Sequence, residues 1–404
     1  MVPQPIRPVA LSIVPAPLFR TLDATRHAEP VATVTDHVGV AHVVVSRHDL
    51  VRRVLADPAT FRPDNALDAV TPIPVAALRI LTRHGFRLPP TLANNGQPSH
   101  PAIRAIVADA LRPDRVAAQR GWLAGLVRRR VAGLAVRLRA GEPVDLYAGL
   151  AADLPLLVLA RLVELPASAA AVVKEFSRAS LELFWAPLDA GRQAELAEVV
   201  GGYHAVLRDC AARAGGMVGR LREHARAQRL PADTVIGALF FLLVAGQETT
   251  SQFLTLLLHR LVREPAVLAG LAGGAVGVDE VVEEGLRLAP PIVSWRRVAS
   301  RDTAIGDVAV AAGTSVVLWL AAAGRDPALT AAPDQFRPGQ RGSRRHLAFG
   351  AGAHRCLGAQ LARMEAAVVV AETAPLLRRV RVVRAPRFPA NLSFRMPDAL
   401  VVSR

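Results

Sequence analysis

Apolar and polar positions change rhythm several times along this chain. Val31 to Thr35 and Val40 to Val45 are β-branched runs separated by a turn-like stretch from Asp36 to Gly39, which predicts a strand pair before a short helix at Asp49 to Leu55. Pro63 to Gln97 is irregular and rich in Pro and Asn, the pattern of a long loop with a function. From His100 to Leu230, Ala, Leu and Arg recur at helical spacing. A segment that is apolar on every side follows, from about Ala232 to His259, and such a helix belongs in the centre of a large core. Val281 to Leu288 reads as a short helix stopped by Pro290 and Pro291. Ile292 to Val298 and Ser315 to Leu320 read as strands, Gln360 to Val380 as a helix, and Val380 to Val383 and Ala399 to Ser403 as closing strands. The expected fold class is mainly α with a minor β-sheet.

Composition narrows the picture. The 404 residues are 51% hydrophobic, enough to bury a large core. No repeat, low-complexity linker or Gly/Ser-rich hinge divides them, so a single domain over residues 1–404 is expected. Met1 to Arg20 is Pro-rich and lacks the pattern of a signal peptide, and the most apolar stretch, Val235 to Ala245, is shorter than a bilayer requires. The expectation is a cytoplasmic protein with no membrane anchor. Cys210 and Cys356 are the two cysteines, far apart, which indicates neither a disulfide framework nor a four-ligand zinc site. The net charge of +15 is carried almost wholly by arginine, since Lys174 is the only lysine. The arginines are scattered and form no aromatic-interleaved module, which argues against a nucleic-acid partner and for an acidic protein partner.

Three motifs carry candidate chemistry. His346 to Gly358 (HLAFGAGAHRCLG) is a Gly-punctuated loop running into a helix, and a cysteine at a helix N-terminus has its thiolate favoured by free N–H groups and the macrodipole. Alone, Cys356 would read as inert packing. Glu284 and Arg287 lie three apart on one helical face, which by itself describes an ordinary surface pair. Ala245 to Thr250 (AGQETT) is a polar island within the apolar helix; either Gly246 ends the helix there, or a buried carboxylate is paired or functional.

Together these strings resemble one family. Phe349, Gly350, Gly352, His354, Cys356 and Gly358 reproduce an FGxGxHxCxG signature, and with Ala359 to Arg363, Glu284/Arg287 and AGQETT the chain resembles bacterial members of the cytochrome P450 family from about Val31 onward. The resemblance implies the cytochrome P450 fold and a heme b bound through Cys356 as iron ligand. Thiolate ligation of that kind favours O–O cleavage. Phe349 and Gly350 would pack near the sulfur, Ala245 would line the heme pocket, and His100, Arg104, Arg297 and His354 would meet the propionates. Thr249 would hydrogen-bond dioxygen and Glu248 would relay protons to it. Glu284 and Arg287 would form a structural network with an arginine of the Phe336 to Arg341 segment, taken to be Arg341.

The implied activity is monooxygenation of an apolar or aromatic small molecule, biosynthetic intermediates included. Phe241, Val244, Val293 and Trp295 are the expected substrate-pocket residues, closed by the Pro63 to Gln97 loop and the region of Phe184 and Trp185. No flavin or iron–sulfur motif is present, so a ferredoxin or flavodoxin and its reductase are the expected electron donors, docking near Arg112, Arg115, Arg120, Arg344 and Arg345. A same-fold oxidase that couples or desaturates, and a non-catalytic heme sensor, are the alternatives. The chain departs from the family pattern in Gly96-Gln97-Pro98, before His100, and at Gly324, where Asn is usual.

Overall fold

In the computed structural model, residues 29–35, 39–164, 170–231 and 233–404 are described. The Pro-rich start, positions 36–38 of the expected turn, and Ala232 lie outside the described residues. The strand pair forms as expected: β1 (Val31–Thr35) and β2 (Ala41–Val45) are antiparallel, with Val31 opposite Val45. β3 (Phe61–Arg62), β5 (Trp295–Ala299) and β8 (Ser315–Leu318) complete a five-stranded sheet in the order β1-β2-β8-β5-β3. β4 (Val144–Asp145), β9 (Arg381–Arg384) and β10 (Val401–Ser403) make a second, small sheet, and β6 (Thr303–Ile305) and β7 (Val308–Val310) a hairpin.

The rest is dominated by helices. The Pro63 to Gln97 segment is not wholly a loop, because Val75–Arg83 is helical and packs on the long Ala190–Arg213 helix. Its apolar positions Ala77 and Leu81 are four apart, and both are buried. The apolar segment forms two consecutive helices, Thr234–Ala245 and Glu248–Val262. Together they make a rod long and apolar enough by length and composition to cross a membrane, and most of it is buried inside the protein. Val235, Leu239, Leu243, Phe253, Leu257 and Leu261 are all within the main core, as an all-round apolar helix requires.

Two further helices frame the site. Val278–Leu288 starts where the Gly277 N–H donates to Glu280 Oε2 at 2.9 Å, and it turns Val281, Val282 and Leu286 into the core. Ala359–Leu377 begins just after the Cys356 loop and packs against both Glu248–Val262 and Val278–Leu288. The helix carrying Thr249, the helix following Cys356 and the helix of Glu284 therefore share one core.

Candidate active site

The Cys356 loop is shaped by backbone that only glycine adopts easily. Gly350 and Gly352 have φ of +65° and +69°. A Cβ on Gly352 would also run into the Leu55 carbonyl, so the loop can lie against the His48–Ala56 helix only with glycine there. The Cys356 N–H donates to Phe349 O at 2.9 Å, closing the turn, and a Cβ on Gly358 would stand 3.9 Å from Cys356 Sγ. Cys356 is exposed toward the cavity, and the Gly358 N–H and the guanidiniums of Arg104, Arg363 and Arg355 lie where they favour its thiolate.

The polar island interrupts the central rod without ending it. Gly246 is packed so closely that a Cβ would lie 2.5 Å from Leu242 O and 3.0 Å from Leu159 Cδ2. Gln247, at φ −130°, leaves helical geometry, and the helix resumes at Glu248. Thr249 Oγ1 donates to Ala245 O at 2.7 Å across the interruption, a side-chain bond of the kind that bends helices.

Cys356 and Thr249 line the same cavity. Its other walls include Ala245, Phe241, Leu242 and Gly246 from the rod, Leu92 and Ala93 from the long connection, Ile292 and Trp295 before and in β5, and Phe349 and Gly350 from the cysteine loop. Arg104, Arg297, His354 and Arg355 also line it, and among the described residues no carboxylate does. Arg297 is 2% exposed; its Nη1 donates to Arg296 O at 2.8 Å, while its buried Nε has no hydrogen-bond partner. Burial pulls that guanidinium down to about 10. A buried cation with an unsatisfied donor calls for an anion. His354 Nε2 donates to Asn95 O at 3.1 Å, and burial pulls this histidine down to about 4, so it is neutral near pH 7. The residues present fit a heme: a sulfur to ligate iron, apolar walls for the macrocycle, and cationic donors without a counter-ion for the propionates.

Not every expected residue reaches the cavity. Val244 is 1% exposed within the main core, and Val293 is 2% exposed, with its N–H on Ser393 O and its carbonyl taking Ala321 N–H; neither lines the cavity, which corrects their assignment. The helix presents Phe241 and Ala245, one turn apart, and Val244 points elsewhere. Before β5 it is Ile292, bridged to Phe394, that faces the cavity in place of its neighbour. Phe184 and Trp185 form a second layer: Trp185 stacks on Trp295 at 6.2 Å and meets Phe394 edge-on at 5.0 Å. His100 also stands behind the lining, its ring stacked on His354 at 4.3 Å and its Nε2 on Leu92 O at 3.3 Å. It supports His354 and is not itself a lining residue.

Glu248 adjoins Thr249 in sequence but does not line the cavity. It is fully buried and ion-paired with Lys174 at 2.5 Å, with Arg178 at 3.9 Å. Lys174 Nζ also donates to Gln247 Oε1 at 3.2 Å, and Arg178 Nη1 to the Tyr147 hydroxyl at 2.7 Å. Burial pulls the Lys174 ammonium below its ordinary value, against the attraction of Glu248. Lys174 went unassigned in the sequence, although a lone lysine among so many arginines was a signal.

The Glu284–Arg287 pair is fully buried at 2.7 Å, so it is no surface pair. Arg287 spends its remaining donors on the carbonyls of Gly324, Pro333 and Gln335. The expected third partner, Arg341, is not what Glu284 takes: its carboxylate accepts from Arg337 N, Gln340 Nε2 and Ser343 Oγ. Arg341 is exposed, since neutral donors already satisfy the carboxylate at the turn. Although burial acts against it, these bonds hold the Glu284 carboxyl below its ordinary value. Gly324 has a reason here, because a Cβ at that position would strike the Arg287 carbonyl.

Comparison with known proteins agrees with this arrangement. The family model Cytochrome P450 matches residues 278–384, which contain both Glu284/Arg287 and the cysteine loop. The structure of "cytochrome P450 CREJ in complex with (4-ethylphenyl) dihydrogen phosphate" superposes with a TM-score of 0.87 at 29% identity over 98% of each chain. Residues 278–384 carry the cytochrome P450 family's pattern, on a fold that a solved P450 structure shares along nearly its whole length. The beta-dihydromenaquinone-9 omega-hydroxylase of Mycobacterium bovis is 36% identical to this chain over 47% of its residues, a match that spans 38% of that relative's length. The erythromycin C-12 hydroxylase of Saccharopolyspora erythraea is 29% identical over 91% of this chain and 89% of its own.

Proposed function

We propose that this chain is a P450 monooxygenase that hydroxylates, or otherwise oxidises, an apolar or aromatic small molecule. The observation that carries the reading is the cavity shared by Cys356 and Thr249, with cationic donors that lack any lining carboxylate among the described residues. Heme b bound through Cys356 would supply dioxygen activation. Arg104 and Arg297 would hold its propionates, with the neutral His354 ring, fixed by Asn95 O and stacked on His100, packed beside them.

The chain's own part is to orient substrate and to control protons. Phe241, Leu242, Ile292 and Trp295 offer an apolar surface to a substrate, with Trp185 and Phe394 packed behind Trp295 to keep that wall rigid. Thr249 Oγ1, released from Ala245 O, would hold a water or dioxygen in the groove. Glu248 would carry protons to that groove from the side of Lys174, whose side chain is 19% exposed to solvent. In the net reaction one oxygen atom enters a C–H bond and the other leaves as water, with two electrons and two protons consumed. The named activities of the relatives, omega-hydroxylation of beta-dihydromenaquinone-9 and C-12 hydroxylation of erythromycin, support a small-molecule substrate.

A cytoplasmic setting and electron supply by a ferredoxin or flavodoxin with its reductase complete the reading. Of the arginines expected to dock the donor, Arg112 and Arg115 are paired with Asp109, and Arg112 also with Asp114, which leaves Arg120, Arg344 and Arg345 as the stronger candidates. The test is turnover with a surrogate reductase and labelled dioxygen, parent beside Thr249→Ala. Label in the organic product, with reducing equivalents diverted to peroxide in the variant, is expected; an oxidised product carrying no label would overturn monooxygenation.

A further inference from the structure

Behind the Cys356 loop lies a charged pair that the reaction scheme does not use. Arg363, on the helix that follows the cysteine, points back over Phe349, with its guanidinium carbon 4.5 Å from the ring centroid. The same guanidinium forks onto Glu283, Nε to Oε1 at 2.5 Å and Nη2 to Oε2 at 3.2 Å. Glu283 is 2% exposed, and its Oε2 also faces His346 Nε2 at 3.2 Å. The Ala348 N–H donates to His346 Nδ1 at 3.2 Å, which leaves the ring proton on Nε2. The His346 ring lies 5.8 Å from that of Phe349. Phe349 lines the cavity beside Cys356 and accepts its N–H.

We propose that Glu283 and Arg363 are positioning residues that set the electron demand at the Cys356 sulfur: Arg363 supplies a positive charge across Phe349, and Glu283 fixes and balances it. Bidentate anchoring gives the guanidinium one orientation, and the aromatic face holds it by cation–π attraction. Burial pushes the Glu283 carboxyl up, yet the bonds from His346 and Arg363 bring it to about 2, so both partners are charged at neutral pH. Charges and hydrogen bonds outside the ligand set tune a metal's potential, and a net positive charge on the sulfur side favours the reduced state.

This inference rests on the heme-thiolate reading above. The experiment is spectroelectrochemical titration of the heme-loaded protein at pH 8 with dye mediators, reading the one-electron ferric/ferrous midpoint, with the reduced carbon monoxide spectrum recorded for every variant. Glu283→Gln leaves the Arg363 cation unbalanced, and its midpoint should rise above the parent value. The double variant Glu283→Gln/Arg363→Gln, neutral again, should return to the parent value. A purely structural pair would displace the double variant at least as far as the single one, or move both the same way, and either result overturns the proposal. Should Glu283→Gln not fold, Arg363→Gln decides: a midpoint below the parent supports tuning, and one at or above it does not. A parent without a thiolate-type carbon monoxide band would sink the heme-thiolate reading itself, a failure distinct from unchanged midpoints in proteins that show the band.

Discussion

Replacing Arg287 with leucine removes the most heavily used cation in the core. The guanidinium is fully buried and makes two bonds to Glu284, at 2.8 and 2.7 Å, and three to the carbonyls of Gly324, Pro333 and Gln335, at 2.9, 2.6 and 2.9 Å. Breaking a buried pair by deleting one partner costs about 3–5 kcal/mol, because the other charge stays behind. Glu284 keeps its bonds from Arg337 N, Gln340 and Ser343, which sets the loss toward the lower end. The carbonyls add to it: each buried acceptor left unpaired costs about 1–3 kcal/mol, less where water enters the void. With the three carbonyls at the low end of that range the sum is about 6 kcal/mol, comparable with the whole stability of an ordinary domain of about 5–15 kcal/mol. Arg287→Leu should therefore give little folded protein, and what folds should unfold at much lower urea by far-UV circular dichroism. Arg341→Leu, at an exposed position outside the pair, should stay within about 0.5 kcal/mol of the parent. An Arg287→Leu midpoint within error of the parent, or an equal loss in Arg341→Leu, would refute the reasoning.

Other consequences are open to direct measurement. Gly352→Ala forces a side chain into a left-handed backbone and against Leu55 O, so the heme content after purification, read as the Soret to protein absorbance ratio, should drop sharply; a full heme load contradicts this. Phe241→Ala should change the affinity of apolar ligands in optical titrations, whereas Val244→Ala should leave it alone and cost about 1–3 kcal/mol of stability in urea unfolding. Glu365 is 2% exposed with both carboxylate oxygens unpartnered, and burial pushes its carboxyl up to about 8. The folded state therefore holds a proton that the unfolded chain releases above its ordinary value of 4.5, and this site's contribution falls as pH rises from there through about 8. Glu365→Gln should match the parent near pH 5 and be the more stable of the two at pH 9; parallel pH profiles would argue against a neutral Glu365.

The parts of the fold legible in the sequence were those with a phase marker. Alternating β-branched runs located β1 and β2, and Pro290-Pro291 located the end of the Glu284 helix. The central rod, apolar on every side, carries no polar stripe to say which face meets the cavity, so Phe241 and Ala245 could not be told from Val244. The stretch leading into β5 has the same ambiguity, since Val293 and Val298 alternate with residues that are also largely buried. The cysteine loop was readable because its glycines and Cys356 are chemically constrained and adjacent. Lys174, Glu283 and Arg363 were not, because each acts through a partner 74 to 80 positions away, Glu248 for the first and the other member of the pair for the rest. Arg341 was assigned through the family resemblance, where backbone N–H, amide and hydroxyl donors fill that place.

The central claim is that Cys356 ligates heme iron as a thiolate. It is tested most directly by the absorption spectrum of the dithionite-reduced protein under carbon monoxide, recorded beside Cys356→Ser. A Soret band at the strongly red-shifted position of thiolate ligation, absent from the variant, is the predicted result. A protein that binds no heme, or a histidine-type band unchanged by the substitution, would contradict the account.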